Sequence, residues 1–270
     1  RKRVVRPKRS IAVVVCIRET VIVVDRRYKL FGWDYEIFNP LTNEEINWYR
    51  KWAQSTQGPL LGLACGTGRL LCSLAKDGHD VIGIDLSDTM LSLAHKRIKQ
   101  LPAKVKHRIR LKKIDMSNFN LDQQFGMVFI ADNSFRELRT RKDLLRCLRC
   151  VHQHLKPDGK LLITERRFNP SLYHQGQRFI GWSQPRLHPQ THKAVSRKGQ
   201  IRISKNHKRI HSEFLYKTIH ADGSETFEKC RWSSPLLSKR EYIELFEKAG
   251  FDTQLFVGYK QTKDDGRNST

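Results

Sequence analysis

The sequence predicts an α/β protein with a doubly wound, mainly parallel sheet and an antiparallel β cap inserted after the fifth strand. Three observations carry that prediction. First, Pro59-Leu60-Leu61-Gly62-Leu63 has strand character and drops into Ala64-Cys65-Gly66-Thr67-Gly68, after which Leu70, Leu71, Leu74 and Ala75 recur at helical spacing. Small residues let a chain turn sharply at a strand's end and press against a ligand, where a larger Cβ would collide. Second, Val81-Ile82-Gly83-Ile84-Asp85 closes a second strand on a carboxylate 17 residues beyond Gly68. That is the spacing at which a nucleotide-binding α/β unit offers an acid to ribose hydroxyls. Third, strand and helix patterns alternate from Leu60 to Glu165, the rhythm of parallel strands joined by crossover helices.

In chain order, residues 1–27 read as a basic arm or leader. Arg1-Lys2-Arg3 precedes two β-branched runs, Ile11–Val15 and Val21–Val24, that suit a strand or a disordered arm. Thr42 and Glu45 form a capping box for a helix from Asn43 to about Gln54. A strand over Leu60–Cys65, a helix over Gly68–Lys76 and a strand over Asp80–Leu86 follow. Ser87 caps a helix reaching about Gln100, with Met90, Leu91 and Ala94 on one face. His107–Asp115 alternates as a strand, and Phe125–Ala131 is the near-continuous apolar run of a strand buried on both faces. An amphipathic helix over Asp143–Leu155 stops at the turn Lys156-Pro157-Asp158-Gly159, and Lys160–Glu165 is the fifth strand.

The alternation then breaks. Gly199–Ser204, Glu213–His220 and Glu225–Trp232 read as strands, the last two joined by the hairpin turn Ala221-Asp222-Gly223-Ser224. Residues 168–235 are therefore a cap inserted into one domain made of 28–167 and 236–270. Ser238 and Glu241 cap a helix ending at Gly250, and Phe251–Gly258 is a sixth strand. No seventh strand is legible in Lys260–Thr270.

The formal charge is +24, concentrated in two places. Residues 1–30 hold ten Lys/Arg against two acids, and residues 166–217 hold twelve against one, with five histidines besides. Such a surface attracts nucleic acid, anionic membranes or acidic small molecules, or it is simply a solvated basic face. No stretch approaches the roughly 20 apolar residues of a membrane helix, since Ile11–Val24 is short and carries Arg18 and Glu19. Six cysteines show no disulfide-framework spacing, which fits a reducing cytoplasm. Cys147, Cys150, His152 and His154 lie on one amphipathic helix with no second ligand pair, and no metal site is read there.

Two adenosine cofactors compete for the glycine loop. A dinucleotide fold wants G-x-G-x-x-G, but Leu71 stands where its last glycine would fall. The order here is the small-residue loop, then Asp85, then Ile114-Asp115-Met116 after the third strand, then Ala131-Asp132-Asn133-Ser134 after the fourth. Over residues 28–260 that order resembles class I S-adenosylmethionine-dependent methyltransferases, which share a Rossmann-like fold. Their acid-x-Gly-x-Gly-x-Gly motif is matched by Gly62-Leu63-Ala64-Cys65-Gly66-Thr67-Gly68, with Gly62 in the acid's place and Ala64 in the first glycine's. The resemblance implies that Ala64, Cys65, Gly66 and Gly68 form the cofactor loop and that Asp85 accepts the ribose hydroxyls. It implies further that Leu86 and Met90 pack on adenine, that Asp115 and the Met116 backbone receive its amino group, and that Ala131 lies by the methionine moiety.

Within the family the arrangement is similar to small-molecule N- or O-methyltransferases acting on amino sugars or glycine-like amines. That likeness makes a small-molecule acceptor the expected partner and places Tyr28, Trp33 and Tyr173 near it. The Asn/Asp-Pro-Pro-aromatic signature of base-amino methyltransferases is absent at Ala131-Asp132-Asn133-Ser134-Phe135. Methyl transfer is an in-line displacement at an activated carbon, so alignment and one base suffice. Glu165, at the end of the fifth strand, and His174 just beyond are the candidates for that base. Two other readings fit the same residues: an RNA methyltransferase whose basic cap guides phosphates, and a binding module that kept the fold without turnover.

Overall fold

The computed structural model describes residues 12–18, 36–166, 172–189, 191–206 and 208–261, with the backbone alone for 12–18, 166, 260 and 261. The strands are β1 (Ala12–Arg18), β2 (Leu60–Leu63), β3 (Val81–Asp85), β4 (Ile109–Lys113), β5 (Phe125–Ile130) and β6 (Leu155–Arg166), followed by β7 (Gln177–Ile180), β8 (Arg186–Leu187), β9 (Ala194–Ile203), β10 (Arg209–Ile219), β11 (Glu225–Pro235), β12 (Asp252–Val257) and β13 (Lys260–Gln261). The helices are α1 (Asn43–Gln54), α2 (Arg69–Lys76), α3 (Asp88–Lys99), α4 (Ala103–Lys106), α5 (Arg141–His154) and α6 (Lys239–Lys248). None of the described helices is long and apolar enough to cross a membrane.

Eight strands form one sheet in the order β13-β12-β1-β6-β5-β2-β3-β4, and every pairing in it is parallel except β12 with β13. Side chains alternate across it, and each face collects its own core. Leu61, Ile84, Val128 and Ile163 meet Leu148 of α5 and Phe246 of α6 on one side. Leu60, Met127, Phe129 and Leu162 meet Tyr49 of α1 and Leu71 of α2 on the other. Burial on both faces is why Phe125–Ile130 is apolar at nearly every position. The expected caps at Thr42, Ser87 and Ser238 form, Ser238 with Glu241 as a reciprocal box and Thr42 by accepting from the Glu45 amide, and Thr140 caps α5 besides.

One expectation is narrowed, the strand or disordered arm near the start proving a strand over Ala12–Arg18, and two are corrected. Ala12–Arg18, within the expected arm or leader, is a strand seated between β6 and β12, with Val13 paired to Leu161 and Val14 to Gln254. Its run of Val, Cys and Ile is the composition a parallel strand with neighbours on both sides calls for. The turn at Lys156–Gly159 lies inside β6 as a bulge: Phe125 pairs with Leu155 but Met127 pairs with Lys160, so four residues loop out while the strand continues. Beyond the sixth strand, Lys260–Gln261 pairs antiparallel with β12 at the sheet edge.

The cap is a separate antiparallel sheet in the order β11-β10-β9-β7, with β8 paired to β9. Its inner face holds Val195, Phe214, Tyr216, Cys230 and Trp232, and Phe38, from the turn of helix at residues 36–38, inserts among them. The Arg197 guanidinium lies 4.4 Å from the Phe38 ring and 5.0 Å from that of Phe214.

Candidate active site

Parallel strands of one sheet end at one edge, and β2, β3, β4 and β5 bring their carboxyl ends together. Asp85 pairs with Lys113, and the Ile114 amide donates to the Asp85 carbonyl at 3.2 Å. Asp85 and Asp115 thus share one rim, facing the loop that leaves β2. Open α/β sheets bind ligands at that rim.

The loop is built on left-handed backbone: Ala64, Gly66 and Gly68 have φ of 48°, 56° and 74°. A Cβ on Gly66 would meet nothing within 4 Å, so the loop opens onto free space at the rim. The Gly66 amide donates to Asp85 Oδ2 at 2.7 Å and the Ser87 amide to Oδ1 at 2.9 Å. One carboxylate therefore fixes the loop and starts α3, and its oxygens keep lone pairs for further donors. Asp85 is 9% exposed. Burial pushes its carboxyl above the ordinary range, against the lowering effect of the Ser87 and Gly66 amides. Burial, then the Asp85 charge, likewise push the Cys65 thiol well up, so Cys65 lines the loop as a neutral group.

Ala64 pays for its left-handed backbone, because a Cβ there crowds the following carbonyl by roughly 1–2 kcal/mol. Ala64→Gly is expected to raise stability by about 0.5–1 kcal/mol, the relief less the extra chain entropy glycine loses. A thermal melt that moves down would show the strain is absent.

Gly62 occupies the family's acid position for a packing reason. A Cβ there would lie 2.8 Å from Phe129 Cζ and 2.9 Å from Leu71 Cδ2. The carboxylate at this loop arrives from elsewhere: Glu36 accepts from the Thr67 hydroxyl and from Arg97 Nη2 at 2.9 and 2.8 Å. Arg69, the first residue of α2, is balanced by Glu36 at 3.9 Å and Asp132 at 3.5 Å. The cations around the loop are thereby offset, which suits a sulfonium better than a phosphate. Glu36 stands outside the strand–helix repeat, so no sequence spacing marks it.

The remaining expected residues divide. Leu86 is 62% exposed, an apolar side chain standing at the rim where a flat ring would cover it. Asp115 is exposed and accepts from the Ser117 amide at 2.7 Å. Met90 is 2% and Met116 8% exposed, so the Met90 side chain offers a ring almost no surface. Ala131 ends β5, and after it Asp132 and Asn133 hold φ of 53° and 65°. Thr164 keeps that strained pair in place, its hydroxyl oxygen accepting the Asp132 amide at 2.9 Å and its carbonyl the Asn133 amide at 3.0 Å. Consecutive strained residues at a strand end are a mark of functional sites.

Glu165 is corrected as a base. It is 3% exposed and its Oε2 lies 2.6 Å from Arg136 Nε, on the 3₁₀ turn Ser134–Glu137. Arg136 also reaches the Tyr242 hydroxyl at 3.3 Å. Burial lowers the Arg136 guanidinium, but Glu165 and Tyr242 together more than offset it and raise it overall. Burial, then the Glu165 charge, push the Tyr242 phenol up. A carboxylate already paired to a buried guanidinium is a poor proton acceptor. His174 is exposed in a tight turn bridged to Gln177, its carbonyl accepting the Gln177 amide at 2.8 Å. Tyr173 is half-buried: burial raises its phenol, opposed by the charges of Arg178 and Arg136. Tyr28 and Trp33 lie outside the described residues. On α5, the Leu121 amide donates to His154 Nε2 at 2.9 Å and Nδ1 lies 2.7 Å from the Cys150 carbonyl, so both ring nitrogens are engaged.

Comparison with known proteins bears on the family and the fold. Residues 60–159 match the family model described as a methyltransferase domain. The chain is 36% identical over 118 residues to the putative methyltransferase YqeM of Bacillus subtilis (strain 168), covering 42% of this chain and 46% of that one. It is 32% identical over 117 residues to the dTDP-3-amino-3,4,6-trideoxy-alpha-D-glucopyranose N,N-dimethyltransferase of Streptomyces venezuelae, covering 43% and 46%. The chain spans about half the length of the curated relatives it matches. Among solved structures, the sugar N-methyltransferase KedS8 from Streptoalloteichus sp ATCC 53650 shares the fold, with TM-score 0.65, 22% identity and coverage of 85% and 86%. The glycopeptide N-methyltransferase MtfA, complexed with S-adenosyl-L-homocysteine, is similar at TM-score 0.53 and 27% identity, with 77% of each chain covered.

Proposed function

We propose that this chain, whose residues 60–159 match a methyltransferase domain, is a class I S-adenosylmethionine-dependent methyltransferase that transfers a methyl group to the amine of a small molecule such as an amino sugar. The observation that carries this reading is the shared rim, where the Gly66 loop opens onto free space between Asp85 and Leu86. The donor set fits the cofactor: a carboxylate for ribose hydroxyls, an exposed apolar side chain for adenine, and arginines whose charge is already offset. Bound there, S-adenosylmethionine supplies a methyl carbon activated by positive sulfur.

The chain's own residues then have simple tasks. Asp85 and Asp115 orient the adenosine, and Leu86 covers one face of its ring. Asp132 and Asn133, pinned by Thr164, shape the wall after β5. Tyr173 is assigned to the acceptor side, and the Arg136–Glu165 pair holds the wall at the end of β6 in place. An amine with a free lone pair needs alignment and exclusion of water more than a strong base, which suits a site whose buried carboxylate is already paired. The amine acceptor is supported by the amino-sugar relative, whose named activity is N,N-dimethylation.

Incubation of the full chain with methyl-labelled S-adenosylmethionine and panels of amino sugars, small amines, hydroxylated acceptors and RNA tests this. Label is expected in an amine acceptor. Label in RNA alone would overturn the reading. Cofactor binding should also weaken on acidification. Ribose hydroxyls donate to the ionised carboxylate, and protonation removes that acceptor. Because burial raises the Asp85 carboxyl, the loss should begin at a higher pH than for an exposed aspartate, and Asp85→Asn should flatten the profile. A profile unchanged by Asp85→Asn would place the titrating group elsewhere.

A further inference from the structure

We infer that the outward face of the cap sheet is a docking surface for single-stranded RNA. Strand alternation gives β9, β10 and β11 an inner face, packed on Phe38, and an outer one. Register aligns Lys198, Leu215 and Lys229 across the outer face, then Gln200, Glu213 and Arg231, then Arg202, His211 and Ser233. Arg209 and Lys217 fall on the same side of β10. Among the described residues of these strands, the acids on that face are Glu213 and Glu225. Glu213 holds Lys229 and Arg231, and Glu225 holds Lys217 at 2.8 Å. Lys198, Arg202 and Arg209 add their charge beyond those pairs.

Large aromatic rings are interleaved with these cations. Phe179, Trp182 and Phe227 are 74%, 43% and 53% exposed. The Trp182 and Phe227 rings lie 6.4 Å apart, and Lys198 Nζ and Lys217 Nζ sit 4.9 and 5.4 Å from the Trp182 ring. Phe179 pairs with Gln200 and so shares the outer face. At the end of the sheet a cleft of about 470 Å³ opens among Arg139, Arg202, Arg209, His211 and Arg231.

A polyanion with flat apolar side groups answers both features, its phosphates meeting the cations and its bases stacking on the rings. A duplex hides its base faces, so the strand must be unpaired, and sequence-tolerant stacking of this kind is how single-stranded RNA is held. An anionic bilayer fits less well, because the rings are interspersed with Lys198 and Lys217 and form no continuous apolar stripe to bury. This surface is distinct from the rim at which the cofactor is placed, and the inference does not depend on methyl transfer.

The test is fluorescence polarisation of the full chain with a labelled short oligouridylate, an RNA duplex of equal length, and phosphatidylserine vesicles in a parallel sedimentation. The oligouridylate is expected to bind, with affinity falling steeply between about 50 and 200 mM salt. Trp182→Ala with Phe227→Ala should weaken it by about tenfold or more while leaving the salt slope in place. Lys198→Gln with Arg202→Gln should reduce that slope by about 1.4, or roughly 0.7 for each phosphate that is no longer neutralised. Both pairs are surface substitutions, and unchanged cofactor affinity, read alongside, checks that each variant is folded. No binding, binding indifferent to either pair, or preference for duplex or vesicles would each overturn the inference and leave the methyltransferase reading untouched.

Discussion

Replacing Glu165 with alanine is expected to cost about 3–5 kcal/mol of folding stability. Glu165 is buried and Arg136 mostly so, their separation is 2.6 Å, and the side chains are 2% and 15% exposed respectively. Burying an ion pair brings little net gain, because desolvation consumes most of the attraction. Removing one partner is different: the guanidinium keeps its charge, raised as it is by Glu165 against burial, and must then find water or unfold the corner. Tyr242, whose hydroxyl Arg136 touches, would be disturbed with it. Urea denaturation of wild type and Glu165→Ala checks this. A variant with intact stability and abolished turnover would restore Glu165 as a catalytic base.

Gly62→Asp, which puts the family's usual acid back, is expected to destabilise the protein by more than about 3 kcal/mol. The new Cβ alone would collide with Phe129 and Leu71, and overpacking of this kind costs about 1–3 kcal/mol. The carboxylate beyond it enters the apolar layer between β5 and α2, where a charge without partners adds several more. The same denaturation assay reads the effect. A variant as stable as wild type, with tighter cofactor binding, would mean that Phe129 and Leu71 yield and that Glu36 does not stand in for the acid at this loop.

Much of this arrangement is legible in the residues themselves. Periodicity and capping pairs locate α1, α2, α3 and α6 to within a residue or so, because local hydrogen bonds and a buried stripe fix them. The rim is legible too: glycine loop, Asp85 and Asp115 follow one another at strand ends, and parallel topology carries them to one edge. Facts set by distant pairing are not. The run of Val and Ile at Ala12–Arg18 announces a strand, but its seat between β6 and β12 depends on partners more than a hundred residues away. Glu36 and Arg136 escape sequence reasoning for the same reason, since an ion pair leaves no spacing in the sequence. The resemblance implies a place for Met90 against the adenine, while its position on the apolar face of α3 leaves it buried, which packing alone reveals.

The central claim is that the loop after β2 and the aspartate ending β3 jointly hold S-adenosylmethionine. Calorimetric titration of the cofactor into wild type and Asp85→Ala at neutral pH tests it most directly. Wild type should bind, and the variant should lose about 1–3 kcal/mol of binding free energy as charge-assisted hydrogen bonds to ribose disappear. Equal affinity in the two proteins, or no heat with wild type at millimolar cofactor, would contradict it.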